Sequence, residues 1–195
     1  MPELIIDTST ELCLIALIQE GQILSENVFA HANQLSQNLL PSIQEMMKKS
    51  NFSLSALSSI ALGIGPGSYT GTRVGAAVAK SLAFGLGIGV KPFYSPLAFL
   101  PGKKGSFAFV IPTKAGAYFL LKGDQPSLVS SEELEAEAGA VDYLVTSPSH
   151  AVPESLKSKP YFEAAPNLPL LVTRLDAVRP VSPESIELHY LHTPF

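Results

Sequence analysis

The chain has one cysteine, no tryptophan, four histidines and little charge, with 15% of its 195 residues charged. A single thiol, Cys13, excludes an internal disulfide and suits a reducing compartment. Flanked by Leu12 and Leu14, it reads as core packing rather than as a nucleophile. There is no run of lysine or arginine, and the formal net charge is −4. Affinity for a nucleic-acid backbone comes largely from neutralised phosphates, so this composition excludes an unaided grip on RNA or DNA. No apolar run reaches the ~20 residues of a membrane helix; the nearest is broken by Lys80 and several glycines. Met1-Pro2-Glu3 carries no basic region and the first apolar run stops at Asp7, so the sequence predicts a cytoplasmic protein without a secretory signal. What is abundant is apolar content, at 46%, enough to build a core in one domain or two small lobes.

Glycine is concentrated. Gly63, Gly65, Gly67, Gly71, Gly75, Gly85, Gly87 and Gly89 crowd one stretch of a chain that has 14 in all. Leu57 to Leu62 reads as a buried strand and Thr72 to Phe84 as a helix, which puts the first glycines in a strand-to-helix turn, the usual place for a phosphate cradle. The spacing fits neither standard cradle. A P-loop needs four residues between its glycines followed by Lys-Ser/Thr, and a dinucleotide fingerprint needs a third glycine where Ser68 or Thr70 stands. Two readings stay open. Either Ser68 or Thr70 caps the helix and leaves the N–H groups of Gly71 and Thr72 free to meet an anion, with Arg73 assisting, or the loop is a tight turn serving only its own fold, which the spacing favours. The helix that follows is lined by Gly75, Ala76, Ala77, Ala79 and Ala83, so a neighbouring helix can approach closely.

Upstream, Leu4 to Ile6, Leu12 to Ile18 and Gln22 to Phe29 read as strands joined by short turns, an antiparallel meander. Leu35, Leu39, Leu40, Ile43, Met46 and Met47 form a helical stripe over Asn33 to Ser50, with a kink or interruption expected near Gln37 because Pro41 lacks a donor. The order strand, strand, strand, helix, strand, helix predicts an α/β fold of the ribonuclease-H-like type shared by actin, Hsp70 and sugar kinases. Most of the 16 prolines lie from Pro101 onward, predicting short elements: a hairpin from Phe107 to Ile111 and Ala117 to Leu121, an acidic helix from Glu132 to Ala138, a strand from Tyr143 to Thr146 and a helix from Leu168 to Ala177. The expected division is residues 1–97 and a smaller lobe, 98–195.

Four motifs, Leu4-Ile-Ile-Asp-Thr-Ser-Thr, Leu39-Leu-Pro-Ser-Ile, Gly65-Pro-Gly-Ser-Tyr-Thr-Gly-Thr-Arg-Val-Gly and Ala79-Lys-Ser-Leu-Ala, resemble the TsaB (YeaZ) family of bacterial tRNA threonylcarbamoyladenosine biosynthesis proteins. The likeness runs from Leu4 to Pro96 and is carried mainly by the long glycine motif. It implies an actin-like fold and a non-catalytic subunit that pairs with the catalytic paralogue TsaD, with TsaE as a further ATPase partner, to modify N6 of adenosine 37 in tRNAs reading codons that begin with A. By the resemblance, tRNA is met only through the complex, ATP and metal belong to the partners, and the same surface can form homodimers. The paired helices map onto Leu35, Leu39, Ile43, Met46 and Met47 of the first and Tyr69, Thr72, Arg73, Ala76, Ala79, Lys80 and Ala83 of the second. Leu35 stands where the family has histidine, and Pro112 where it has aspartate.

The competing reading is an ATP- or phosphometabolite-binding enzyme of the actin-like superfamily using Asp7, Thr8, Ser9, Gly65, Gly67, Ser68, Thr70 and Gly71. Such an enzyme needs a second acid next to glycine, and Asp124, Asp142 and Asp176 lack that turn, which favours hairpin-turn chemistry for Asp7-Thr8-Ser9. No metal site is expected: His31 and His150 stand alone, and His189 and His192 have no cysteine or carboxylate cluster beside them. A third reading is a homodimeric interaction module.

Overall fold

The computed structural model describes residues 1–30, 34–113, 116–123, 125–146 and 152–190. They divide into two compact units, one made of Met1–Ser95 with Leu168–Tyr190, the other of Pro96–Asn167.

In the first unit, β1 (Glu3–Asp7), β2 (Leu12–Gln19) and β3 (Gln22–Ala30) form the expected meander. The turn between β2 and β3 is a two-residue one with positive φ at both Glu20 and Gly21, the geometry whose twist matches that of the strands. The strands β4 (Ser59–Gly63) and β5 (Gly89–Phe93) continue the sheet in parallel, giving the order β3-β2-β1-β4-β5. Alternation along β1, β2 and β4 puts Leu4, Ile6, Cys13, Ile15, Leu17, Ile60 and Leu62 in one core with α1 (Leu35–Lys49) and α2 (Tyr69–Leu86). Ile5, Leu14, Ala16 and Ala61, which alternate with them, are fully buried too, as suits strands in the middle of a covered sheet.

Helix α1 runs through Pro41 without interruption. Gln37 and Pro41 lie on the exposed side of the helix, and burial of Leu35, Leu39, Ile43, Met46 and Met47 on the other side holds it together despite the missing donor. Asn33, the expected start, lies outside the described residues. Helix α2 begins at Tyr69, earlier than the expected Thr72, because Ser68 is the N-cap: its Oγ accepts the Gly71 N–H at 3.2 Å. It ends on Gly87 in the left-handed region.

The second unit is another mixed sheet, built from β6 (Phe107–Pro112), β7 (Tyr118–Lys122), β8 (Gln125–Val129), β9 (Tyr143–Thr146) and β10 (Tyr161–Glu163) in the order β10-β9-β6-β7-β8. Helix α3 (Ser131–Gly139) opens on a full capping box between Ser130 and Glu133 and buries Leu134 and Ala138 against the sheet.

The expected spans are 1–97 and 98–195, whereas the first unit takes in residues from both, Met1–Ser95 and Leu168–Tyr190. Helix α4 (Leu168–Leu175) lies against β3, Val181 pairs with Val90 on the edge strand β5, and Ile186 and Leu188 join the first unit's core. Leu168–Tyr190 therefore completes the first unit. Apolar residues near the end of the chain find their partners in the sheet made at its beginning.

Candidate partner-binding surface and glycine loop

The loop between β4 and α2 packs against the turn that follows β1. Ser68 N–H donates to the Ser9 carbonyl at 2.6 Å, and Thr8 Oγ1 donates to the Gly71 carbonyl at 2.7 Å. Glycine is needed here for steric reasons: a methyl on Gly67 would strike the Ser9 carbonyl, one on Gly71 the Thr8 carbonyl, and one on Gly75 the Thr8 hydroxyl. Gly65 N–H donates to Ser95 Oγ at 3.0 Å, and Ser95 N–H returns to the Gly65 carbonyl at 2.9 Å.

The structure thus brings together Asp7, Thr8, Ser9, Gly65, Gly67, Ser68, Thr70 and Gly71, but as a turn filled by its own chain. The two N–H groups expected to be free are engaged, Gly71 with Ser68 Oγ and Thr72 with the Ser68 carbonyl at 2.9 Å. That corrects the anion-cradle reading of those groups. Arg73, expected to assist an anion, lies instead 4.0 Å from the Tyr69 ring centroid and donates from Nε to Tyr190 Oη at 3.2 Å.

Asp7 is almost wholly buried. Its Oδ1 accepts from Ser9 N–H at 2.9 Å, Ser9 Oγ at 2.8 Å and Ser95 Oγ at 3.1 Å, whereas Oδ2 is buried with no hydrogen-bond partner. Burial raises its pKa above the ordinary aspartate value, and the hydrogen bonds from Ser9, Ser95 and Thr8 offset part of that rise. Cys13 is also buried, and its thiol is pushed up to about 12, by burial first and by Asp7 second. A thiol so rarely ionised is no nucleophile.

The helix pair differs from expectation in which side it shows. Leu35, Leu39, Ile43, Met46, Met47, Thr72, Ala76, Ala79 and Ala83 are buried within the chain's own unit, so they are corrected from surface to core. The small residues of α2 let the helix sit close on its own sheet and on α1. Of the residues expected to face a partner, Tyr69 and Arg73 are exposed and Lys80 is half-buried, its Nζ donating to the Ile186 carbonyl at 2.9 Å. The outer ridge of α2 is instead Arg73, Ala77, Ser81 and Phe84, and Phe84, 74% exposed, is the most exposed large apolar side chain among the described residues. A shallow cavity of about 450 Å³ lies beside it, lined by Lys80, Ser81, Phe84, Pro183 and Glu184. Leu40 adds an exposed apolar side chain on α1. Sequence reasoning missed Phe84; its place four residues after Lys80, away from the alanine stripe, was the available signal.

No group of three or more His, Cys, Asp or Glu residues that could hold a metal ion occurs among the described residues. His31, His150, His192 and Asp124 lie outside them.

Residues 22–95 match a family model described as TsaD, tRNA N6-adenosine threonylcarbamoyltransferase. The tRNA threonylcarbamoyladenosine biosynthesis protein TsaB of Haemophilus influenzae is 42% identical over 94 residues, 46% of this chain and 37% of that protein. TsaB of Escherichia coli is 38% identical over 82 residues, 42% of this chain and 35% of that protein. The similarity to TsaB covers less than half of this chain. The matched stretch spans only 35–37% of the length of those two TsaB proteins. A solved structure of a protein with similarity to peptidase YEAZ from Pseudomonas aeruginosa superposes with a TM-score of 0.75 at 22% identity, covering 98% of this chain and 99% of the other. YeaZ from Pseudomonas aeruginosa gives 0.68 at 21% identity, covering 97% and 99%. The chain therefore shares the fold of those two structures, an α/β fold with two five-stranded mixed sheets.

Proposed function

We propose that this chain is a non-catalytic scaffold subunit in the threonylcarbamoylation of N6 of adenosine 37 in tRNAs that read codons beginning with A. It pairs with TsaD through the outer faces of α1 and α2, works alongside TsaE in the cytoplasm, and meets tRNA only through the complex. ATP and metal are held by the partners. The observation that carries this reading is the glycine loop filled by the chain's own β1–β2 turn, in a lobe homologous to TsaB. With that loop occupied, the feature left for function is the helix pair, whose outer ridge exposes Phe84, Leu40, Tyr69 and Arg73. An exposed aromatic with an arginine nearby is the composition of an interface anchor. In support of a role away from the membrane, no helix among the described residues is long and apolar enough to cross one.

Co-expression with TsaD from the same organism, followed by affinity capture of TsaD, tests the reading. This chain should co-purify in stoichiometric amount, and titration of the isolated chain with magnesium-ATP should give no heat of binding. Micromolar ATP binding with turnover would overturn the scaffold reading in favour of the enzyme. A stable homodimer that ignores TsaD in light scattering would favour the self-association reading.

A further inference from the structure

The C-terminal strap, Val181–Tyr190, runs along α2 on a line from Phe84 to Tyr69, and its two ends are held very differently. Its early part is anchored in the first unit: Val181 exchanges backbone hydrogen bonds with Val90 at 2.9 and 2.8 Å, Ile186 is buried and accepts from Lys80, and Leu188 packs on the core. His189 is fixed by its N–H to the Ile64 carbonyl at 2.8 Å and by an edge-on contact with Tyr94 at 5.1 Å. The last contact is a surface one. Tyr190 lies 5.0 Å from the Tyr69 ring, its hydroxyl accepts from exposed Arg73, and the guanidinium lies 5.7 Å from its ring centroid. Tyr190 is half-buried like Leu188 and His189, but it is held only by side-chain contacts with the exposed Arg73 and Tyr69. Exposed contacts of this kind are weak and readily broken, whereas the earlier residues are held by backbone hydrogen bonds and by buried Ile186.

We propose that Tyr190 is an intramolecular latch that holds Arg73 and Tyr69 at the start of α2, and that a partner docking on α2 must displace it. The proposal rests on the reading of the outer ridge of α2 as the TsaD-facing surface. Because Leu188 and His189 stay fixed, opening moves only the end of the strap and leaves the core of the unit intact. While the latch is closed, the fraction of molecules competent to bind is reduced, and apparent affinity falls by that fraction.

The test is calorimetric titration of TsaD with the full chain and with its Tyr190→Ala and Tyr190→Phe variants, with circular dichroism confirming an unchanged fold. Tyr190→Ala should bind roughly two- to fivefold more tightly, the factor that loss of one exposed cation–π contact returns. Tyr190→Phe, which keeps the ring and loses the hydroxyl, should fall between it and the natural chain. Equal or weaker binding by Tyr190→Ala overturns the latch. If the natural chain does not bind TsaD, the reading beneath the proposal fails, and the latch is decided separately by phenylglyoxal labelling of Arg73 read by mass spectrometry. Faster labelling in Tyr190→Ala supports a held guanidinium; an equal rate overturns it.

Discussion

One helix, α2, presents a face of small residues to the protein's interior and a mixed face to solvent. Its inner face, with Gly71, Thr72, Gly75, Ala76, Ala79 and Ala83, is buried on the turn after β1, the sheet and α1. Its outer ridge, with Arg73, Ala77, Ser81 and Phe84, meets solvent. Small side chains on the inside bring backbone to backbone, and on the outside Ala77 and Ser81 leave Phe84 standing clear at one end and Arg73 with Tyr69 at the other. The contrast teaches that a bare stripe in a sequence marks close packing without saying against what. Here the close packing is internal, and any partner must read the other side.

The sharpest way to break the contrast is to load each face with the same charge. Ala79→Arg puts a cation where exposure is 0%, and an unpaired buried charge combined with overpacking places it in the exceptional class of more than ~4 kcal/mol; the expected outcome is little folded protein on urea denaturation or none at all. Gly71→Ala asks less, yet its methyl meets the Thr8 carbonyl, a backbone atom that cannot rotate away. We expect a loss of about 2–3 kcal/mol by denaturant midpoint, in the range of overpacking changes. Gly75→Ala meets only the Thr8 hydroxyl and should cost less, about 1–2 kcal/mol, mainly the hydrogen bond to the Gly71 carbonyl. Equal costs for the two glycines would show that the turn shifts as a body. On the outer ridge, Phe84→Arg should change stability by no more than ~0.5 kcal/mol while lowering affinity for TsaD at least about tenfold, the mark of an interface anchor.

Much of this was legible from the residues. The meander, the amphipathic α1 and the strand–glycine–helix unit follow from local pattern, because each is decided by neighbours in sequence; the same pattern narrows the cap to Ser68 or Thr70, and the structure selects Ser68. Three strands escaped notice for local reasons as well: β5 contains Gly89 and Pro92, β8 contains Pro126, and β10 is only three residues long, so none carries a strand signal. The return of Leu168–Tyr190 to the first unit was hidden because it depends on contacts between residues far apart in the chain, such as Val90 with Val181. Which face of α2 is buried was hidden for the same reason. Periodicity separates two faces of a helix, but a stripe of small residues can pack on its own sheet or on a foreign helix, and local pattern does not say which. The glycine loop was readable as a site of close approach, and only the structure supplied the approaching group, the carbonyls of Thr8 and Ser9.

Asp7 extends the contrast to pH, since it lies under the same loop. Its folded-state pKa is raised by burial, so the folded chain holds the proton more tightly than the unfolded one. The stability this contributes is fully present below the ordinary aspartate value and is lost as pH rises through the folded value, at about 1.4 kcal/mol for each pH unit that separates the two. Denaturant titrations at a series of pH values should show stability falling over that window in the natural chain. In Asp7→Asn the slope should disappear. A slope that persists unchanged would assign the effect to another group.

The smallest expected effect tests the outer surface without adding charge. Gly85 lies near the end of α2, is exposed, and a Cβ there would meet nothing within 4 Å. Its φ is not in the left-handed region, unlike that of Gly87 two residues later, so alanine fits the existing backbone. Gly85→Ala should therefore stabilise the chain by about 0.5–1 kcal/mol, through helix propensity and a less free unfolded state, seen as a small rise in Tm. The binding measurement then separates two uses of the bare position beside Phe84. A higher Tm with weaker TsaD binding places Gly85 inside the interface, where a partner's backbone or side chain needs the missing methyl. A higher Tm with unchanged binding confines the interface to the ridge from Arg73 to Phe84.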